Sequence, residues 1–157
     1  MRYLIVCGGQ IDKEFGLNEI KTDGIDAIIA ADSGMDFLYE NGVMPDIIVG
    51  DFDSATTKAL EFFERKGQTE IHRLNPIKDD TDTEYAIRLA IREGARSIVV
   101  LGATGSRIDH VLGNISLLGI GLESGIDISI IDTNNRIRMA DKPVTIEKSA
   151  QYLSLIH

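Results

Sequence analysis

The sequence predicts an α/β fold, an open and mostly parallel sheet with helices on both faces (Rossmann-like), and three observations carry that expectation. Short β-branched runs alternate with helical patterns up to about residue 132. Several of those runs are apolar almost throughout, as strands covered on both faces are. Four consecutive strands are followed by polar clusters rich in Asp.

The first strand is Tyr3–Cys7, and its apolar stretch is too short for a signal peptide. Ile25–Ala30, Asp46–Val49, Glu70–Leu74, Ser97–Leu101 and Asp127–Ile131 supply the remaining strands of the sheet. The spacing predicts helices over Gly34–Glu40, Ala55–Lys66, Asp82–Glu93 and Ile108–Glu123. Gly67 and Gly94 follow the second and third as C-cap residues. Thr81 and Glu84 form a capping box ahead of the third. Val111, Ile115, Leu118 and Leu122 recur at helical spacing and define the buried face of the fourth.

The pattern changes after Asn134-Asn135. Arg136–Ala140, Val144–Glu147 and Tyr152–Ile156 read as short strands with no helix between them. Two or three strands are too few to bury two sheet faces. The expected division is therefore an α/β domain over 1–132 and, over 133–157, the opening strands of an all-β sandwich domain that is cut short.

Composition narrows the function. The 157 residues, 43% hydrophobic and 26% charged, suit one globular domain plus a fragment. A formal charge of −9 argues against nonspecific nucleic-acid binding, which needs a basic surface. The longest apolar run falls far short of the roughly 18 residues of a membrane span. Cys7 is the single cysteine, which excludes an internal disulfide and a thiolate zinc cluster and makes a reducing cytoplasm the expected location. Of the 25 acids, 15 are Asp and 10 are Glu, so the excess of the shorter acid needs a location other than solvated helix faces.

That location is one edge of the sheet. In an open parallel sheet all carboxyl ends point the same way, and ligands bind there. Asp32-Ser33-Gly34, Gly50-Asp51-Phe52-Asp53-Ser54, Lys78-Asp79-Asp80-Thr81-Asp82 and Gly102-Ala103-Thr104-Gly105-Ser106-Arg107-Ile108-Asp109-His110 all follow strands. Seven Asp fall in these clusters: Asp32, Asp51, Asp53, Asp79, Asp80, Asp82 and Asp109. Like charges gathered in one cleft repel unless a cation compensates them. Hard oxygen donors suit Mg²⁺, which is held by a few carboxylates, waters and substrate phosphates. Lys78 and Arg107 add cationic groups for phosphate oxygens. Gly102 and Gly105 would let backbone approach a phosphate at the next helix N-terminus. Together these features suggest phosphoryl-type transfer from a nucleotide.

Each residue alone has a plainer reading. Asp after a strand is often a turn former or a helix cap, and Gly102 and Gly105 are ordinary in a tight β–α turn. His110 alone reads as structural, although Arg107, His110 and Asn114 share one helix stripe and could face the cleft together. His72 inside a strand and a small buried Cys7 read as structural, and terminal His157 is uninformative. Asp46 begins its strand and is expected to be structural. Joint placement at four strand ends favours the functional reading.

Familiar alternatives fail. The chain has no Gly-x-x-x-x-Gly-Lys-Ser/Thr loop, and Gly8-Gly9-Gln10 does not continue as a Rossmann fingerprint. A Mg²⁺-dependent phosphatase with Asp51 as nucleophile remains an alternative, but Asp51-Phe52-Asp53 is followed by Ala55 where that chemistry expects Thr or Val. A non-enzymatic nucleotide-binding domain is the third reading. No Ser-His-Asp arrangement occurs in a plausible register.

The clusters, with Pro45-Asp46-Ile47-Ile48-Val49 before the second, Thr83-Glu84 after the third and Asn114 beyond the fourth, resemble those of the bacterial thiamine pyrophosphokinases. The resemblance runs from Gly8 to about residue 135. It implies pyrophosphoryl transfer from ATP to the hydroxyl of thiamine, giving thiamine diphosphate and AMP, with a Mg²⁺ requirement and a homodimer. It places Asp51, Asp53, Asp79 and Asp82 around Mg²⁺ and the ATP phosphates, and Arg107 on the charge that develops there. By the same likeness Asp32, Ser33, Gly34, Ser54, Lys78, Thr81, Gly102, Gly105, Asp109, His110 and Asn114 contribute to ATP or substrate binding. The family carries a complete C-terminal β-sandwich that contributes to thiamine binding. Weak activity or none is therefore the expectation for the 157-residue chain.

Overall fold

The structure, a computed structural model, describes residues 1–52, 57–75, 81–146 and 152–156. In chain order the elements are β1 (Arg2–Val6), α1 (Lys13–Ile20), β2 (Ala27–Ala31), α2 (Gly34–Glu40), β3 (Ile47–Gly50), α3 (Thr57–Lys66) and β4 (Glu70–Arg73). They continue with α4 (Asp82–Arg92), β5 (Ser97–Leu101), α5 (Ile108–Ser116), α6 (Leu118–Ser124), β6 (Asp127–Ile131) and β7 (Arg136–Arg138). One sheet takes all seven strands of the described residues, in the order β4-β3-β2-β1-β5-β6-β7. Strands β1 to β6 are parallel, and β7 runs antiparallel to β6. Strand order reverses at β1, so the switch point lies between β1 and β5.

The period of two along each strand divides the core between the faces. From β1, Tyr3 and Ile5 join Ala86, Ile87 and Ala90 of α4 and Leu118 of α6 on one side. Leu4 and Val6 join Met35 and Leu38 of α2 and Ala59 and Phe63 of α3 on the other. Strands buried on both faces need this double cover, and the β-branched content of β1, β2 and β5 follows from it. The α/β class expected from the alternation is the class observed.

The structure differs from these expectations in four places. Helix α1 was not expected, because Gly16 interrupts its pattern and lowers helix propensity. That glycine is buried, and a Cβ there would lie 2.6 Å from Ile11 Cγ2 and 2.7 Å from Phe37 Cζ, so packing decides the residue. The helix expected over Ile108–Glu123 is divided at Leu117, which ends α5 and opens α6. The Leu117 N–H is shared between the carbonyls of Gly113 at 3.3 Å and Asn114 at 3.2 Å.

Near the C-terminus, Arg136–Arg138 is a strand as expected, but it extends the edge of the α/β sheet, with Ile137 opposite Ile130. Residues 144–146 and 152–156, read as further strands, carry none, and their apolar side chains at Val144, Ile146, Leu153 and Ile156 are exposed. Glu147 and His157 lie outside the described residues. Among the described residues no helix is long and apolar enough to cross a membrane.

Phe63 anchors the face covered by α2 and α3. It is fully buried and meets Phe62 edge-on at 5.3 Å and Tyr39 at 6.3 Å between ring centroids. Phe63→Ala should cost about 3–5 kcal/mol of unfolding free energy in urea titration. A loss under about 1 kcal/mol would contradict this account of the core.

Candidate functional site

Two strand ends and one helix start build an acidic cluster. Asp32 follows β2, and its N–H donates to the Val49 carbonyl at 2.8 Å, extending the β2–β3 pairing past the strand. Its φ of 49° is left-handed, a conformation Asp tolerates better than most residues. The chain then turns at once into α2, which requires Gly34: a Cβ there would sit 1.9 Å from the Val6 carbonyl oxygen. Asp51 follows β3 and precedes Phe52, also left-handed at φ 63°. For a bulky aromatic this is a true outlier, of a kind that costs about 1–3 kcal/mol and concentrates at functional sites. The Arg73 guanidinium lies over the Phe52 ring, 5.4 Å from its centroid, and pairs with Glu64. Asp82 opens α4, where the Thr81 hydroxyl accepts from the Glu84 N–H at 3.1 Å. A carboxylate at that position also complements the helix dipole.

Asp32, Asp51 and Asp82 each place one carboxylate oxygen within 4.8 Å of the others. All three are half-buried. Three carboxylates at this spacing repel one another, and a shared hard cation relieves that. The donor set is oxygen only, with neither thiolate nor imidazole, which fits Mg²⁺. Asp51 and Asp82 were expected to be metal ligands, and Asp32, expected among the nucleotide-binding residues, lies with them. Asp53, Ser54, Lys78, Asp79 and Asp80 lie outside the described residues.

Ser33 is the N-cap of α2 and makes no side-chain cap bond. Its Oγ is 2.0 Å from where a Cβ on Gly8 would stand, so the β1 end passes directly against it. Thr81 is used as a helix cap. Gly102 has φ 68°, and a Cβ there would lie 2.3 Å from the Cys7 carbonyl oxygen. Gly105 is exposed, with open space about its Cα.

Arg107 and Asp109 pair at 2.7 Å in solvent. The hydrogen bond and the charge of that pair raise the Arg107 pKa and lower that of Asp109. His110 is exposed. Asn114 faces inward and donates to the Ala103 carbonyl at 2.8 Å, bracing the β5–α5 loop. The stripe of Arg107, His110 and Asn114 is thus divided between solvent and loop. Asp46 accepts from the Ile28 N–H at 2.7 Å, the structural role expected of it.

Cys7 lies beneath the cluster, with its Sγ 3.4 Å from Thr83 Oγ1. Burial pushes its thiol pKa from 9.0 up to about 11, against a smaller lowering by the Thr83 hydrogen bond.

The same edge holds a cavity of about 480 Å³, and of its lining the sequence reading singles out Gly102 and Gly105 but not the residues from β1 and β6. Gln10 and Lys13, Thr104, and Asp132 and Asn134 line it. Asp132 follows β6 and accepts from the backbone N–H groups of Asn134 and Asn135, each at 2.8 Å, and from the Asn135 amide at 2.9 Å. Partial burial pushes its pKa up, but these donors and Thr104 together outweigh it and hold the carboxyl below its ordinary value. The signal in the sequence was topological: β1 and β6 end at the same edge as the four strands whose ends were read.

The fold and site define a doubly wound α/β domain with a carboxylate cluster at its carboxyl edge. The family profile described as "Thiamin pyrophosphokinase, catalytic domain" matches residues 21–130. A thiamine pyrophosphokinase of Bacillus subtilis (strain 168) is 34% identical over 131 residues, covering 82% of this chain and 61% of that protein. A crystal structure of Bacillus subtilis thiamine pyrophosphokinase superposes with a TM-score of 0.75 at 32% identity, covering 88% of this chain and 63% of that one. A probable thiamine pyrophosphokinase from Staphylococcus saprophyticus gives 0.68 at 33% identity, covering 88% and 68%. The chain belongs to the thiamin pyrophosphokinase catalytic-domain family. It spans about three fifths of the length of the Bacillus subtilis relative.

Two predictions follow from this geometry. Mg²⁺ at 100 times its dissociation constant should raise stability by about 2.7 kcal/mol, and Asp51→Asn or Asp82→Asn should remove most of that gain in thermal melts. An equal gain in both variants would contradict the cluster as the cation site. The Cys7 thiol keeps its proton in the folded state up to about pH 11, whereas the unfolded thiol loses it near 9. Stability should therefore fall as pH rises from about 9 to 11, and Cys7→Ser should flatten that part of the profile. An unchanged slope would count against this assignment.

Proposed function

We propose that this chain is the ATP- and Mg²⁺-binding part of a thiamine pyrophosphokinase, which transfers pyrophosphate from ATP to the thiamine hydroxyl and releases AMP. The supporting observation is the approach of Asp32, Asp51 and Asp82 to within 4.8 Å at the carboxyl edge of the sheet, in a chain of this family. The thiamine oxygen forms a bond to the β-phosphorus of ATP, the bond from that phosphorus to the oxygen bridging to the α-phosphorus breaks, and the hydroxyl proton passes to a carboxylate of the cluster. Asp51 and Asp82, with Asp53 and Asp79 by family resemblance, would hold Mg²⁺, and Asp32 extends that set. The metal, when bound, supplies positive charge against the phosphate oxygens.

Arg107 and Lys78 supply further positive charge to the transferring group, for which Arg107 exchanges its solvent-exposed pairing with Asp109. Ser33, Gly34 and Ser54, with Thr81, Gly102, Gly105, Asp109, His110 and Asn114, complete the ATP and substrate side. In several of them the contribution is conformational: Asn114 and Gly102 shape the β5–α5 loop, and Thr81 sets the start of α4.

The reading carries a cytoplasmic location and a homodimer. It also keeps the division at 132/133, with β7 shared between the sheet edge and the start of a β domain.

Product analysis with thiamine and ATP–Mg²⁺ tests the reading. In a chain extended at its C-terminus, AMP and thiamine diphosphate should form together, and Asp51→Asn and Asp82→Asn should each lower the rate at least about 100-fold with the fold intact by circular dichroism. Release of inorganic phosphate without AMP would favour phosphatase chemistry at Asp51. Nucleotide binding with no turnover, in this chain and in one extended at its C-terminus, would favour a non-enzymatic domain.

A further inference from the structure

The chain leaves β3 through a clasp to which β3, β4 and α3 each contribute. In the parallel register Gly50 of β3 stands beside Arg73 of β4, and the Leu74 N–H donates to the Gly50 carbonyl at 2.9 Å. Paired residues of adjacent strands share a sheet face, so the Arg73 side chain and the vacant Cβ position of Gly50 lie on the same side. A Cβ on Gly50 would be 3.1 Å from Phe52 Cε1 and 3.2 Å from the Asp32 Cα. The Phe52 ring thus folds back over the end of β3, beside the turn that carries Asp32. There it packs, partly buried, against the core that α2 and α3 cover. The Arg73 guanidinium lies over the ring, 5.4 Å from its centroid, and Glu64 of α3 holds that guanidinium.

We propose that Phe52 and Arg73 are positioning residues for Asp51. The ring, clasped between β3 and the guanidinium, holds the left-handed turn that keeps the Asp51 carboxylate beside Asp32 and Asp82. The inference rests on the reading of that cluster as a cation site and adds to it residues that act through Asp51. Three observations favour this role over ordinary packing.

The first is the backbone. Phe52 has φ 63°, which a bulky aromatic adopts only when its surroundings hold it there. With β3 and α3 fixing the chain on either side, relaxation at Phe52 is taken up at its neighbour Asp51. The Asp51 oxygen would then leave its place within 4.8 Å of the other two. The second is exposure. The Arg73 and Glu64 side chains are 60% and 43% exposed, and an ion pair so placed adds little to global stability. Its consequence is local: it fixes one guanidinium over one ring. The third is charge. An arginine on the adjoining strand end works against cation binding by Coulomb repulsion. Removing it would strengthen binding if charge alone mattered, whereas loss of the clasp weakens it, so the two effects have opposite signs.

Calorimetric titration of the 157-residue chain with Mg²⁺, beside nuclear Overhauser measurements on the metal-free chain, tests the proposal. A positive φ brings the amide and Hα protons of Phe52 close together, and a negative φ moves them apart. Arg73→Gln, at an exposed position, and Phe52→Leu, which changes no charge, should each weaken Mg²⁺ binding about tenfold with the fold intact by circular dichroism. Metal-free Arg73→Gln should also lose the short proton distance at Phe52. Unchanged or tighter Mg²⁺ binding in either folded variant, or a short distance retained in Arg73→Gln, would overturn the clasp. If the unsubstituted chain bound no Mg²⁺, the cation reading of the carboxylates would fail and the Overhauser distance alone would decide. Its loss in Arg73→Gln would then uphold the clasp, and its retention would overturn it.

Discussion

Mutual repulsion among Asp32, Asp51 and Asp82 is the constraint around which the edge of this sheet is arranged. Their oxygens lie within 4.8 Å of one another, and each is carried by a different strand end or helix start. Parallel pairing of β2 with β3, extended by the Asp32 N–H to the Val49 carbonyl, sets the first two side by side. Capping of α4 by Thr81 sets the third. Left-handed backbone at Asp32 and Phe52 adds strain on top of the repulsion. A marginally stable domain tolerates such a concentration of unfavourable terms because a doubly covered core lies directly beneath it.

The same strand-end arrangement joins the cluster to the rest of the edge. Cys7, just past β1, is buried against Thr83, while Gly8 after it passes against Ser33 and Gly9 against the Gly102 carbonyl of the β5–α5 loop. That loop is held from three directions: by the Gly9 N–H at Gly102, by the Asn114 side chain at Ala103 and by Asp132 at Thr104. Such bracing from separate elements pre-organises the loop before any ligand arrives. It also explains why glycines recur where the strands end, since backbone passes backbone there with no room for a Cβ.

Much of this was legible in the sequence because it follows from period and topology. Apolar runs such as Leu4–Val6 and Val99–Leu101 announce strands covered on both faces, and a parallel sheet brings their ends together whatever the loops do. Asp32, Asp51 and Asp82 could be gathered on one edge by that argument alone. What stayed hidden depended on tertiary packing. Helix α1 is specified by contacts of Gly16 with Ile11 and Phe37, which a local propensity opposes. The Leu117 break falls inside a continuous amphipathic pattern. Arg136–Arg138 has the composition of a strand, but its partner, β6, is set by the turn that Asp132 organises. Asp132 itself reads as a turn residue, and only the fold shows that this turn also borders a cavity.

The most direct test of the account places a cation at the three carboxylates. Mn²⁺ substitutes for Mg²⁺ at oxygen sites and broadens nearby NMR resonances. Substoichiometric Mn²⁺ added to the isotope-labelled chain should first broaden the amides of Asp32, Ser33, Asp51 and Asp82, and excess Mg²⁺ should reverse the effect. Broadening that begins instead at the exposed acids of α3, or that spreads evenly over the acidic surface, would contradict the central claim.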